Sequence, residues 1–292
     1  MSLHSQRLQA ALTKPGVIKA PGVFDGLTTR LVEQAGFDVG FVSGAGIAFS
    51  RFGIPDVGLI GMSEVAHCIQ LMREISELPL IVDIDTGFGN ALNTQRTVRV
   101  FERAGASAMQ MEDQVMPKRC GHMKGKNVVS CAEMEGKIHA FVDSRENENT
   151  LLVARTDALG VTGFEDAMER ASRYLEAGAD LLFIEAPKTL EQMQIIAKEF
   201  GARVPLVHNL VEGGASPVSN AAELAELNYK LALYPVALLH AFVPTAQALL
   251  THIQQQGETS HFNQPMLNLS QINQLLDADN LLEQAKKYDA NS

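Results

Sequence analysis

Eight short apolar runs, each followed by a segment of helical periodicity, constrain this chain more than any other feature. They are Val17–Ala20, Val39–Ser43, Leu80–Asp83, Ser107–Glu112, Leu151–Arg155, Leu181–Glu185, Val204–His208 and Lys230–Tyr234. Between them apolar residues recur at three- and four-residue steps, as in Phe164, Met168, Ala171 and Leu175, which is the period of one helix face. Strict strand–helix alternation predicts a parallel sheet with helices outside it. Three helical segments end in Ala-Gly before the next run, at Ala35-Gly36, Ala104-Gly105 and Ala177-Gly178. A glycine there can take the left-handed conformation that turns the chain back to the sheet. Eight such units predict an α/β protein of the (β/α)8 TIM-barrel type. An open doubly wound sheet is the alternative, although no GxGxxG follows the first run.

With 292 residues, 46% of them hydrophobic, the chain can bury a large core. Residues 1–292 are expected to form one barrel domain, with 236–292, rich in Gln and Leu, as a C-terminal helical extension. The net charge of −10 and the absence of Trp argue against nucleic-acid or anionic-membrane partners, which usually meet a basic face. The apolar runs stop well short of the ~20 residues that span a bilayer, and no signal layout opens the chain, so a cytoplasmic protein is expected. Cys68, Cys120 and Cys131 form no CxxC pair, which supports neither a disulfide framework nor a zinc site. Cys68 falls in an apolar helical pattern with Val65, Ile69 and Met72, and Cys131 is expected to start a helix.

In a barrel, chemistry gathers where the strands end. The second run ends in Ser43-Gly44-Ala45-Gly46, whose hydroxyl and approachable backbone N–H groups suit an oxyanion. Asp83 and Asp85 alternate to one side of an extended chain, and Glu112 ends the neighbouring run. Three hard oxygen donors without a His or Cys cluster point to Mg2+, with Mn2+ as a substitute, held partly through water. A glycosidase carboxylate pair is an alternative, but it leaves the next loop without a role. That loop, Pro117–Asn127, carries Lys118, Arg119, Lys124 and Lys126 and no acid. Its cations can hold substrate carboxylates and ease ionisation of Cys120, a candidate proton donor. Gly121 and Gly125 would let it move as a lid, and His122 is a candidate hydrogen-bond donor or relay. Arg155 can clamp an anion, Glu185 can orient that arginine or bind metal-held water, and Asn209 can hydrogen-bond a carboxylate.

Ser43-Gly44-Ala45-Gly46, Asp83-Ile84-Asp85-Thr86-Gly87-Phe88-Gly89, Met111-Glu112-Asp113-Gln114 and Lys118-Arg119-Cys120-Gly121-His122 together resemble the isocitrate lyase/phosphoenolpyruvate mutase superfamily. The similarity continues through Ala154-Arg155-Thr156-Asp157-Ala158, Phe183-Ile184-Glu185-Ala186 and Leu233-Tyr234-Pro235. The Lys-Arg-Cys-Gly-His loop looks like the carbon–carbon lyase branch, which includes methylisocitrate and 2,3-dimethylmalate lyases. Phe41 and Gln110 stand where methylisocitrate lyases tend to have Tyr and His, and Ala45 interrupts their Ser-Gly-Gly-Gly loop. Glu185-Ala186-Pro187 and the run His208 to Gly214 look closer to alkylmalate lyases.

The resemblance implies an Mg2+-dependent lyase that cleaves a 2-hydroxy di- or tricarboxylate to an α-keto acid such as pyruvate plus a carboxylate. It implies Asp83, Asp85 and Glu112 at the metal, and Cys120, His122, Lys118, Arg155 and Glu185 in catalysis. Phe41, Ser43, Gly44, Ala45, Gly121, His122, Arg155 and Asn209 would then line the substrate. It also implies a homo-oligomer, a dimer of dimers whose eighth helix is exchanged between subunits. The alternatives on the same scaffold are oxaloacetate decarboxylation or hydrolysis, and phosphonate-forming phosphomutase chemistry of the carboxyvinyl-carboxyphosphonate phosphorylmutase type. A non-catalytic dicarboxylate-binding barrel is a third.

Overall fold

The computed structural model describes residues 3–119, 121 and 125–288. All eight expected strands form: β1 (Ile18–Val23), β2 (Gly40–Val42), β3 (Leu80–Asp83), β4 (Ala108–Glu112), β5 (Leu151–Thr156), β6 (Leu181–Ile184), β7 (Val207–Asn209) and β8 (Leu231–Tyr234). They pair in parallel in the order β6-β5-β4-β3-β2-β1-β8-β7. The cylinder closes between β6 and β7 through one parallel bridge, Leu182 with Leu206, where the Leu182 N–H donates to the Pro205 carbonyl at 3.1 Å. Sequence alone starts the seventh strand at Val204, three residues early. Pro205 has no N–H to give, so regular pairing begins only beyond it.

The helices are α1 (Leu3–Thr13), α2 (Gly26–Gln34), α3 (Gly44–Ile47), α4 (Met62–Arg73), α5 (Ala91–Ala104) and α6 (Cys131–Ser144). They continue with α7 (Phe164–Glu176), α8 (Leu190–Phe200), α9 (Ala221–Glu226), α10 (Ala237–Gln256), α11 (Leu269–Leu275) and α12 (Ala278–Lys286). Gly36, Gly105 and Gly178, which follow α2, α5 and α7, have φ of 80°, 103° and 112°, as the Ala-Gly punctuation predicts. The glycine-rich segment after β2 differs from expectation. It is the short helix α3, running on into a π-helical turn over Ala48–Phe52.

Strand periodicity sorts the core into two shells. Ile18 and Ala20 of β1, Phe41 of β2, Ile81 of β3, Ala108 of β4, Leu151 and Val153 of β5, Leu181 and Phe183 of β6, Val207 of β7, and Leu231 and Leu233 of β8 pack together with Val39 inside the barrel. Leu8 and Ala11 of α1 join this cluster. The alternate residues, such as Val82, Met109, Met111, Leu152 and Ala154, pack outward against the helices, where Cys68 also lies. Because side chains alternate along a strand, two more steps up the inward face lead from Ala108 through Gln110 to Glu112. One step leads from Val153 to Arg155, from Phe183 to Glu185, from Val207 to Asn209 and from Ile81 to Asp83. The interior is therefore apolar below and polar at the strand ends. His208 takes the other parity and stacks edge-on against Tyr229.

The chain divides into two compact units, Met1–His240, which contains the barrel, and Ala241–Ser292. The division falls inside α10. Among the described residues no helix is long and apolar enough to cross a membrane.

Candidate active site

A cavity of about 200 Å³ opens at the C-terminal ends of the strands, and it is where the inward polar layer meets the loops. Its wall includes Asp83, Gln110, Glu112, Arg155 and Asn209 from the strand ends, and Phe41 and Ser43 from β2. Loops add Lys118, Arg119, Gly121 and Asp56, and the remaining wall is Ala45, Phe49, Val211, Pro235 and Val236, apolar, together with His240.

Arg155 is the best-held cation. Its Nε and Nη2 donate to Asp157 Oδ2 and Oδ1 at 2.9 and 3.1 Å, Nη1 lies 3.3 Å from Glu112 Oε2, and the guanidinium sits 5.2 Å above the Phe183 ring. Burial alone would lower its affinity for the proton, but Asp157, Glu112 and Glu185 outweigh burial and raise it, so it is a permanent charge. Asp157 in turn stays below the usual carboxylate range despite burial, because Arg155 and Lys126 face it. Lys118 bridges two acids, 2.6 Å from Asp56 Oδ1 and 2.8 Å from Asp85 Oδ1. The Asp85 contact is an ion pair. Asp85, Asp83, Glu112 and Asp56 raise the Lys118 pKa against burial. Burial pushes Asp85 up to about 7, Lys118 pulling the other way, and raises Glu112 well above the usual range.

The acids fit a single hard cation. Among the described residues no three acidic, imidazole or thiol side chains form a ready-made ligand cluster. Mg2+ does not demand one, since it keeps several waters and takes one or two carboxylates. Asp85 is the candidate direct ligand, with Asp83 and Glu112 placed to order water, and Glu112 Oε1 is buried with no hydrogen-bond partner among the described residues. Gly44 keeps the space beside them open, since a Cβ there would lie 3.2 Å from Asp83 Oδ2 and 3.6 Å from Asp85 Oδ1.

Other expected residues fall out as follows. Ser43 lines the cavity, but its hydroxyl caps α3 by accepting from the Gly46 N–H at 3.0 Å. Gly44 lies beside the acids in an adjoining pocket rather than on the cavity wall. Glu185 is buried and accepts from Asn209 Nδ2 at 3.2 Å. Cys120 and His122 lie outside the described residues, and the expected lid is described only at Pro117–Arg119, Gly121 and 125–127. The sequence reading missed Asp56, Phe49, Asp157 and Asp113. Asp56 sits in the connection between the π-helical turn and α4, where no local pattern marks it.

The family profile described as phosphoenolpyruvate phosphomutase matches residues 8–254. The 2,3-dimethylmalate lyase of Eubacterium barkeri is 39% identical over 97% of this chain and 97% of its own length. The 2-methylisocitrate lyase of Aeropyrum pernix is 44% identical over 86% of this chain and 80% of its own. A crystal structure of 2,3-dimethylmalate lyase superposes with a TM-score of 0.90 at 32% identity, covering 100% of this chain and 96% of that one. A phosphonopyruvate hydrolase solved with oxalate and Mg2+ gives 0.87 at 29% identity, covering 99% of each chain. The profile match and the relatives together span nearly the whole chain, and the protein belongs to the phosphoenolpyruvate mutase/isocitrate lyase superfamily.

Proposed function

We propose that this protein is an Mg2+-dependent carbon–carbon lyase, for which Mn2+ can substitute, that cleaves a 2-hydroxy di- or tricarboxylate of the alkylmalate or 2-methylisocitrate type. The products are an α-keto acid such as pyruvate and a carboxylate. One observation carries the reading: Arg155, Lys118, Asp83 and Glu112 converge on a cavity whose other wall, Ala45, Phe49, Val211, Pro235 and Val236 beside His240, is mostly apolar. Such a wall suits alkyl substituents, while the charged side suits carboxylates.

When bound at Asp85, the metal supplies Lewis-acid polarisation of the hydroxy-acid end of the substrate. Arg155, prealigned by Asp157, holds a carboxylate and steadies the negative charge that develops as the bond breaks. The hydroxyl proton leaves toward Glu185, directly or through a relay such as His122. The electron pair of the broken C–C bond stays on the carboxylate fragment, and the Cys120 thiol delivers a proton to that carbon. Cys120 is supported in this role by its neighbours, since Arg119 and Gly121 both line the cavity. We further propose a cytoplasmic homo-oligomer, a dimer of dimers built through the C-terminal helices. The exposure of Phe242, Leu250, Leu269, Leu281 and Leu282 supports it, because apolar surface of that extent favours burial against a partner.

The test is keto-acid release with Mg2+ from malate, citramalate, dimethylmalate, isocitrate, methylisocitrate and oxaloacetate, with phosphonopyruvate included. Turnover confined to alkylated malates or methylisocitrate is expected. Turnover only of oxaloacetate or phosphonopyruvate would move the protein to the hydrolase or mutase reading, and binding without turnover to a silent barrel.

A further inference from the structure

The geometry points to Lys126 as a positioning residue that seats Gly121 against Arg155 by way of the carboxylate that aligns that arginine; this inference rests on the lyase reading. The Lys126 ammonium donates to the Gly121 carbonyl at 2.6 Å and to Asp157 Oδ1 at 2.5 Å. Its side chain is almost fully buried, and that of Asp157 wholly so. Asp157 is the same carboxylate that clamps Arg155, so Lys126 and Arg155 share one anchor.

That anchor does not give. The Asp157 N–H donates to Asp113 Oδ1 at 2.9 Å, and Asp113 Oδ2 accepts from Thr156 Oγ1 at 2.7 Å, Tyr174 OH at 2.8 Å and Arg170 Nη1 at 3.2 Å. Lys126 is fixed from its own side as well. The next residue, Asn127, accepts from the Val115 N–H at 2.8 Å, and Gln114 bridges Val128 in antiparallel pairing. Gly121 therefore hangs between two held points, and it lies against the reactive groups. A Cβ there would stand 2.5 Å from Arg155 Nη2 and 2.6 Å from Glu185 Oε1. Only glycine brings backbone that close.

A loop carbonyl held through one ammonium to the carboxylate that clamps the substrate-binding guanidinium takes its register from that clamp. Removing the ammonium leaves Asp157 paired with Arg155, so the fold and the anion grip persist while the loop backbone shifts. A misplacement of about 1 Å is enough to cost ~100-fold in rate.

Lys126→Met and Lys126→Arg, compared with wild type as full-length Mg2+-loaded enzyme, test this. Lys126→Met should lower kcat ~100-fold with KM within about threefold, and Lys126→Arg, which keeps the donors, should recover to within about tenfold of wild type. A KM rise with kcat unchanged, an unaltered kcat, or an arginine variant as impaired as the methionine one would overturn the proposal. Amide exchange over residues 117–127 needs no turnover and separates this from failure of the lyase reading. Saturating oxalate, the anion held by the hydrolase neighbour, should slow exchange there in wild type and in Lys126→Arg but not in Lys126→Met. Equal protection in all three would refute the bridge even if no acid in the panel were cleaved.

Discussion

Glu112 and Asp113 are neighbours in the chain and almost equally buried, at 3% and 0% exposed, yet their surroundings are opposite. Asp113 points out of the barrel and receives four donors, from Thr156, Asp157, Arg170 and Tyr174. Glu112 points inward, touches Arg155 at 3.3 Å and leaves Oε1 without a hydrogen-bond partner among the described residues. Gln110 Oε1 and Asn209 Oδ1, on the same cavity wall, share that condition. Buried polar atoms are normally paired, so the saturated side is scaffold and the unsaturated side is where a ligand's groups belong. Burial raises both carboxyls above the ordinary range, against the pull of Arg155 on Glu112 and of the Asp157 and Thr156 hydrogen bonds on Asp113.

Three experiments would break or sharpen this contrast, the largest expected effect first. Chelation should abolish turnover by at least ~10³-fold, about 4 kcal/mol in barrier, with Mg2+ restoring it; full activity after metal stripping would remove the inward acids from the reaction. Next, Asp113→Asn should cost about 3 kcal/mol of stability, because an amide nitrogen cannot accept from the donors that converge there. Glu112→Gln, by contrast, should leave the urea midpoint unlowered while turnover falls ~100-fold. Equal losses of stability in the two variants would erase the distinction.

The smallest effect is a pH dependence. Asp157 has its folded pKa depressed below the ordinary 3.8, so its pairing stabilises the fold above that value and is lost as pH falls through the folded pKa. The stability gap between wild type and Asp157→Asn should be constant from pH 7 to about 5 and close below about 4. A gap that widened on acidification would place the charge elsewhere.

Much of the barrel was legible because period-two and period-3.6 patterns are local. Ile81, Asp83, Ala108, Glu112, Val153 and Arg155 announce both their strands and, by parity, their side of the sheet. Local chemistry was only partly legible. Ser43 reads as an oxyanion donor, and in three dimensions its oxygen has a second task that the reading did not include, accepting from the Gly46 N–H of the helix it starts. Pro205 lies inside an apolar run and delays the seventh strand to Val207, a local signal that hydrophobicity masks. What stayed hidden depends on sequence-distant partners. Asp56 meets Lys118 across 62 residues, and Lys126 meets Asp157 across 31. No local periodicity encodes either pairing; both arise because parallel strands bring all their following loops to one rim.

The alternation that packs the barrel also aims its chemistry, and this ties evolvability of the site to strand length. Inserting one residue between Val153 and Arg155 would swing the guanidinium to the helix side and turn Ala154's neighbour toward the axis. Loops at the rim can therefore drift and retune the acid that is recognised, whereas the count of residues in each stave of the cylinder is frozen by the need to keep charge on the axis and grease against the helices.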